Sequence, residues 1–292
     1  MIQKIIQPRN SRRIFQGARF PVFFRAMVVF FVIISMSAWP NTLQTPRSFH
    51  DPFPVLGENS IWGMPSIKDP KQFPGLKIAQ HAYYSVGYST KNHIPNWVLY
   101  ELSASNTIGD AERESRFIAD PLLFGETAIT EDYKNTGYDR GHLAPAADFK
   151  FSAVAMKETF YMSNISPQKP EFNRGIWKKL EEQVRAWANT SYPIFVVTGA
   201  VNKQFLGTLP NTTRAIEIPQ YFYKIVLDTA AQGRGAIAFV MKNQGSTLPL
   251  KNYVVSIDSV ESLTHIDFFP QASDNQETAW EKSSSPKWKL QK

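Results

Sequence analysis

Apolar and polar positions alternate in short, separate runs from residue 83 onward. The runs 83–89 (YYSVGYS) and 96–102 (NWVLYEL) have the length and the aromatic and β-branched content of strands. Polar residues dominate 103–138, where the Asp120-Pro121 turn falls, so this stretch predicts loops. A short helix is predicted over 152–159 and a longer one over 171–188 (EFNRGIWKKLEEQVRAWA). At 3.6 residues per turn, Ile176, Leu180, Val184 and Trp187 of the longer helix fall on one apolar stripe. Asn173 falls in the same arc, and Glu181 and Arg185 stand one turn apart, where they can pair. Further strands are predicted at 194–198, 221–228, 235–241 and 252–257, with a short helix starting at Asp258. Residues 40–80 are rich in Pro, Asn, Ser and Lys and predict a linker, and the stretch after Ala272 predicts a loose polar tail. Strands and helices mix without βαβ alternation, which favours an α+β fold. The expected organisation is 1–40 as a targeting segment, 41–79 as a linker, 80–272 as the folded body and 273–292 as the tail.

The N-terminal segment changes how the charge is read. Residues 26–38 (AMVVFFVIISMSA) form an apolar run that follows a basic, acid-free stretch and ends in small residues, the order of a secretory signal. The run is shorter than the ~20 residues a spanning helix needs. Export to the periplasm or medium is therefore the expectation, with an uncleaved membrane anchor and an organelle transit peptide as alternatives. The membrane enters only through this segment. The formal charge of +7 resides here too. Lys4, Arg9, Arg12, Arg13, Arg19, Arg25 and Arg47 face no acid, and without them the remaining 25 basic residues match the 25 acidic ones. The body is neutral, so whole-chain charge does not argue for a nucleic-acid partner. The absence of cysteine excludes disulfides, thiolate nucleophiles and thiolate-bound metals.

Two stretches carry candidate chemistry. YDRGHLAPAADF (138–149) packs the Asp139 carboxylate, the Arg140 guanidinium and the His142 imidazole around Gly141. An imidazole can take a proton from water near neutral pH, and a guanidinium can neutralise a phosphate. A solvated loop histidine is the alternative. NISPQKPEFNRGIWKKLEEQVR (164–185) puts the Asn173 amide on a core-facing arc, where it needs a partner. A metal ion is one such partner; helix capping is another. His50, His81 and His93 match no motif and receive no chemistry. Tyr83, Tyr84, Trp97 and Phe222 are assigned to the core.

Together the stretches resemble the DNA/RNA non-specific endonucleases, the ββα-metal nucleases. The resemblance rests on Asp139-Arg140-Gly141-His142 with Leu143-Ala144-Pro145, on Asn164-Ile165-Ser166-Pro167-Gln168, and on Asn173, Trp177, Leu180-Glu181 and Arg185. Weaker matches extend it over roughly residues 80–270. It implies a ββα-metal fold with a central mixed or antiparallel sheet and helices on its faces. It implies His142 as general base and Asn173 as the one direct protein ligand of a hydrated Mg²⁺, with Mn²⁺ as a substitute. Glu181 would hold the metal's water shell, and Arg140 and Arg185 would face the phosphate or steady the site. Asp139, Asn164 and Gln168 would shape the loop or orient His142. Relatives carry a phosphate-contacting arginine ahead of the Phe-x-x-Asp-Pro segment; here Arg113 and Arg116 both stand in reach. His265 stands where relatives often have glycine.

The implied activity is hydrolysis of DNA and RNA phosphodiesters, with contacts to phosphates rather than to bases or the 2′-hydroxyl, and a homodimer is one possible assembly. A catalytically silent nucleic-acid-binding protein and a phosphodiesterase of small nucleotides are the alternatives.

Overall fold

Seven strands form one antiparallel sheet in the computed structural model. The structure describes residues 63–292 apart from 189–192, 202–203, 229–234, 282–287 and 291–292. The N-terminal segment behind the export reading, and the linker up to residue 62, lie outside the described residues. The strands are β1 (Leu76–Gln80), β2 (Ser85–Ser89), β3 (Ile94–Leu102), β6 (Ile194–Ala200), β7 (Tyr221–Asp228), β8 (Gly235–Lys242) and β9 (Val254–Val255). Their order is β9-β8-β7-β6-β3-β2-β1, with every neighbour antiparallel. Between β3 and β6 the chain makes a two-stranded antiparallel ribbon, β4 (Asp139–His142) with β5 (Ile165–Gln168), and then a helix, α2 (Lys178–Ala188). The other helices are α1 (Ala153–Glu158), α3 (Ile257–Thr264) and α4 (Asp274–Glu281). Among the described residues no helix is long and apolar enough to cross a membrane.

The central strands read as nearly unbroken apolar runs because both sheet faces are covered. On one face Val98, Tyr100, Val196, Phe222, Val226 and Phe239 join a cluster with Leu143, Ile165, Phe172, Ile176, Trp177, Leu180 and Val184 of the ribbon–helix unit. On the other, Trp97, Leu99, Val197, Tyr223, Ile225 and Leu227 meet Ile257, Val260, Phe268 and Phe269. Residues adjacent in sequence point to opposite faces, so each strand feeds both clusters. Gly199 permits the closest approach. A Cβ there would stand 2.0 Å from the Asn96 carbonyl oxygen and 2.4 Å from the Tyr223 hydroxyl.

Four expectations need correction. The stretch assigned to linker contains β1, an edge strand whose exposed Lys77 and Ile78 hide its alternation. The strand expected at 252–257 shrinks to Val254–Val255, because Leu250–Tyr253 form a tight turn. The tail is not loose throughout. It forms α4, and Trp288 is buried against Trp187, with ring centroids 4.7 Å apart. The helix over 171–188 is not continuous either. Phe172–Trp177 make a wide turn broken at Gly175 (φ −106°, ψ −111°) before regular helix begins at Lys178. Ile176, Leu180, Val184 and Trp187 keep their common buried face. Asn173 lies before the break and leaves the apolar arc. His265 closes α3 in the left-handed conformation (φ 59°), a backbone position that favours glycine.

Candidate active site

Ribbon pairing builds the site. Asp139 lies opposite Gln168, Gly141 opposite Ser166 and His142 opposite Ile165. Gln168 is fully buried against Gly141, where a Cβ would come within 2.2 Å of the Gln168 Oε1. No larger residue fits at 141 without displacing it. The ribbon also gathers buried polar atoms with no hydrogen-bond partner in the protein: Arg140 Nε, His142 Nε2, Ser166 Oγ and both amide atoms of Gln168. Such atoms are costly in a scaffold element, and their concentration marks a place prepared for polar contact.

His142 sits in an aromatic cluster. Its ring centroid lies 5.3 Å from that of Phe117 and 4.9 Å from that of Phe160. Each phenyl ring also carries a guanidinium, Arg140 over Phe117 and Arg113 over Phe160, both at 5.0 Å. Burial, with the Arg113 charge adding to it, drives the imidazole down to about 3. The ring is therefore neutral across physiological pH. Both candidate arginines are exposed, and Arg113 is the one whose guanidinium lies over a ring of this cluster. Arg140 does not stand free. Its Nη1 donates to the Thr130 carbonyl at 3.2 Å.

Asn173 and Asp139 meet across the ribbon–helix junction. Asn173 Nδ2 donates to Asp139 Oδ2 at 2.9 Å. Arg174 grips the same carboxylate with two bonds, at 2.8 and 2.6 Å. Burial opposes ionisation of Asp139, but the bonds from Arg174 and Asn173 hold its carboxyl below the usual value. Arg174 carried no signal in the sequence beyond its place beside Asn173. Asn164 shapes the loop: its Oδ1 accepts from Ala144 N–H at 2.8 Å and its Nδ2 donates to the Ala144 and Thr159 carbonyls. It fixes the backbone beyond His142 rather than the imidazole itself.

The Glu181–Arg185 pair expected from spacing does not form. Arg185 Nη1 instead donates to Asp148 Oδ1 at 2.7 Å, and Tyr100 donates its hydroxyl to the other oxygen at 2.8 Å. Asp148 belongs to the quoted motif stretch, yet its spacing gave no hint of this partner 37 residues away. Glu181 is pushed up to about 7 by burial, with Lys224 pulling the other way.

The segment carrying Arg113 and Phe117 is pinned in place. Ile118 and Tyr161 form a parallel bridge. Behind it, the buried Asp120 carboxylate meets His81 Nε2 at 2.9 Å and accepts from the Ser163 hydroxyl. His81 thus ties the end of β1 to the Asp120 turn. Among the described residues no three acidic, histidine or cysteine side chains gather as a metal cage.

A family model for DNA/RNA non-specific endonucleases matches residues 67–275. The mitochondrial nuclease EXOG of Xenopus laevis is 34% identical over 229 residues, covering 71% of this chain and 63% of that protein. Mitochondrial endonuclease G of Bos taurus is 30% identical, covering 73% of each. A nuclease of Nostoc sp. is 30% identical, covering 78% of this chain and 86% of that one. A crystal structure of the complex of EndoG with EndoGI contains a chain that aligns with a TM-score of 0.62 at 30% identity, over 70% of this chain and 91% of that one. The chain spans only 58–63% of the length of the EXOG relatives of frog, mouse and human. On the match over residues 67–275 and these identities, this chain belongs to the DNA/RNA non-specific endonuclease family and has its ββα-metal fold.

Proposed function

We propose that the chain is a metal-dependent, sugar-non-specific endonuclease that hydrolyses phosphodiester bonds of DNA and RNA. The observation that carries this reading is the meeting of Asn173 with Asp139 on the strand that ends in His142. Asp139 takes the amide N–H of Asn173, and the amide oxygen is the atom left for a cation. An oxygen donor on a neutral side chain suits Mg²⁺ or Mn²⁺ that keeps most of its water. When bound, such an ion supplies positive charge to a phosphate oxygen and to the leaving oxygen.

The chain's own residues do the rest. His142 is neutral, so it is in the protonation state that accepts a proton from water. The surrounding rings fix its plane, and Asn164 fixes the backbone that follows it. Arg113 is exposed at the edge of the cluster, where a phosphate can approach. Arg140 steadies the Phe117 side. Glu181 orders water at the start of α2, and Arg185 acts at one remove by neutralising Asp148. Contacts to phosphate and metal rather than to sugar leave DNA and RNA equivalent. Two of the relatives named above are mitochondrial, which favours the organellar reading of the basic N-terminal segment over export.

The test is digestion of plasmid DNA and of RNA in Mg²⁺, with and without EDTA, by wild type and by His142→Ala. Cleavage of both polymers, lost with either change, is expected. Intact polymer with folded wild type in Mg²⁺ and in Mn²⁺ would overturn the reading.

A further inference from the structure

Lys224 is fully buried in β7, in the middle of the sheet. Lysine is almost never fully buried without a partner, because desolvating its ammonium costs several kcal/mol. The residue forms one row across the sheet with Val98, Thr198 and Phe239. Its side chain rises on the face that packs against the ribbon–helix unit. There Nζ donates to Thr198 Oγ1 at 2.5 Å and lies 5.0 Å from the centroid of the Trp177 ring. Trp177 ends the wide turn that carries Asn173, and Glu181 follows one helical turn later.

The other charges beneath α2 are already committed. Asp148 is engaged by Arg185 and Tyr100, so Arg185 spends its charge there. Among the cations acting on Glu181, Lys224 exerts the largest pull, ahead of Arg185, while Asp148 and Glu182 push the other way. Burial lowers Lys224 itself to about 8, with Glu181 and Asp148 holding it up and Arg185 adding to the fall.

We propose that Lys224 is a positioning residue for phosphodiester hydrolysis: its ammonium, held between the Thr198 hydroxyl and the Trp177 ring, is the fixed counter-charge for the Glu181 carboxylate. Lys224 touches neither metal nor substrate. It acts through Glu181, so its role rests on the nuclease reading above. Without the ammonium, Glu181 keeps its burial and the Asp148 charge but loses its main cationic support. Its proton affinity then rises, and the carboxylate forms only at higher pH.

The experiment measures kcat and KM on DNA against pH for wild type, Lys224→Met, Lys224→Arg, Thr198→Val and Glu181→Gln, with each fold checked by circular dichroism. Lys224→Met should move the acidic limb of kcat up by about one pH unit or more, a roughly tenfold loss at neutral pH that recovers in alkali, with KM little changed. Lys224→Arg should restore the limb, and Glu181→Gln should lack it. Folded Lys224→Met with an unmoved limb and unchanged kcat would overturn the proposal. If Lys224→Met does not fold, Thr198→Val decides: a smaller shift in the same direction supports the role, and an unmoved limb sinks it. Wild type without turnover would refute the nuclease reading first and this role with it. An active wild type with an unmoved Lys224→Met limb refutes the role alone.

Discussion

Asn173 reaches back 34 residues to donate its amide to Asp139, and the two bonds from Arg174 hold that carboxylate still. The bond fixes which end of a symmetric-looking amide faces outward. Asp139→Asn replaces the anion by a neutral group and breaks the ion pair with Arg174. It frees Asn173 to rotate and present nitrogen instead of oxygen. The Mg²⁺ concentration for half-maximal cleavage should rise about tenfold, on the scale of losing an orienting partner behind a metal ligand. Stability should change little, because Arg174 is exposed and its ion pair is screened by solvent. A Mg²⁺ titration of cleavage rate checks this, and an unchanged midpoint would remove Asp139 from the orienting role.

His142 makes stability depend on pH. Its folded value is about 3, below the ordinary 6.5, because burial and Arg113 disfavour the imidazolium. Below pH 6.5 the unfolded chain takes up a proton that the folded chain refuses. Stability is therefore full above 6.5, falls as pH drops and stops falling near 3. The slope is about 1.4 kcal/mol per pH unit for one proton. His142→Phe removes the titration and keeps ring contacts with Phe117 and Phe160. Melting temperatures of the two proteins between pH 7 and pH 4 should diverge in favour of the variant, while its nuclease rate falls by 10²–10⁴, roughly the worth of a general base. Parallel pH curves would mean that the folded imidazole titrates as it does in the unfolded chain.

Much of this was legible in the sequence, and the failures share a cause. The strands 221–228 and 235–241 and the stripe Ile176–Leu180–Val184–Trp187 follow from periodicity, since covered sheet faces and an amphipathic helix leave a local trace. Periodicity assumes an unbroken helix, so it could not see that Gly175 resets the phase and releases Asn173 toward Asp139. The pairing of Arg185 with Asp148 rather than Glu181 is a tertiary choice between an adjacent turn and a distant buried anion, and spacing reports only the first. The cluster of Phe117, Phe160 and His142 joins three segments that no local pattern links. Trp288 read as tail because its partner, Trp187, lies 101 positions away.

Arg113 and Arg116 were equivalent in the sequence and are not in the fold. Both are exposed, but Arg113 lies over Phe160, whose ring packs against the imidazole. Arg113→Ala should raise KM for DNA about tenfold, the worth of one charge-assisted contact. It should also lift the His142 value, since the Arg113 charge contributes to lowering it. Arg116→Ala should leave KM within about twofold. Steady-state kinetics on both variants at one fixed salt concentration decide it, because phosphate contacts weaken with salt. The reverse ranking would assign the phosphate contact to Arg116.

The segment around Trp288 should matter to α2 although it carries no chemistry. Trp288 is 4% exposed and stacks edge-on against Trp187, whose indole N–H donates to the Lys289 carbonyl at 2.9 Å. Trp187 lies on the buried face of α2, the helix that begins beside Asn173 and carries Glu181. Trp288→Ala opens a cavity at the far end of that helix and should destabilise the fold by about 3 kcal/mol. The last turn of α2 should loosen before the ribbon does, because Asp139, Asn173 and Arg174 form a separate set of bonds. Amide hydrogen exchange in Trp288→Ala should therefore rise across 184–188 and stay near wild type across 139–142. Exchange rising equally in both stretches would show that helix and ribbon open as one unit.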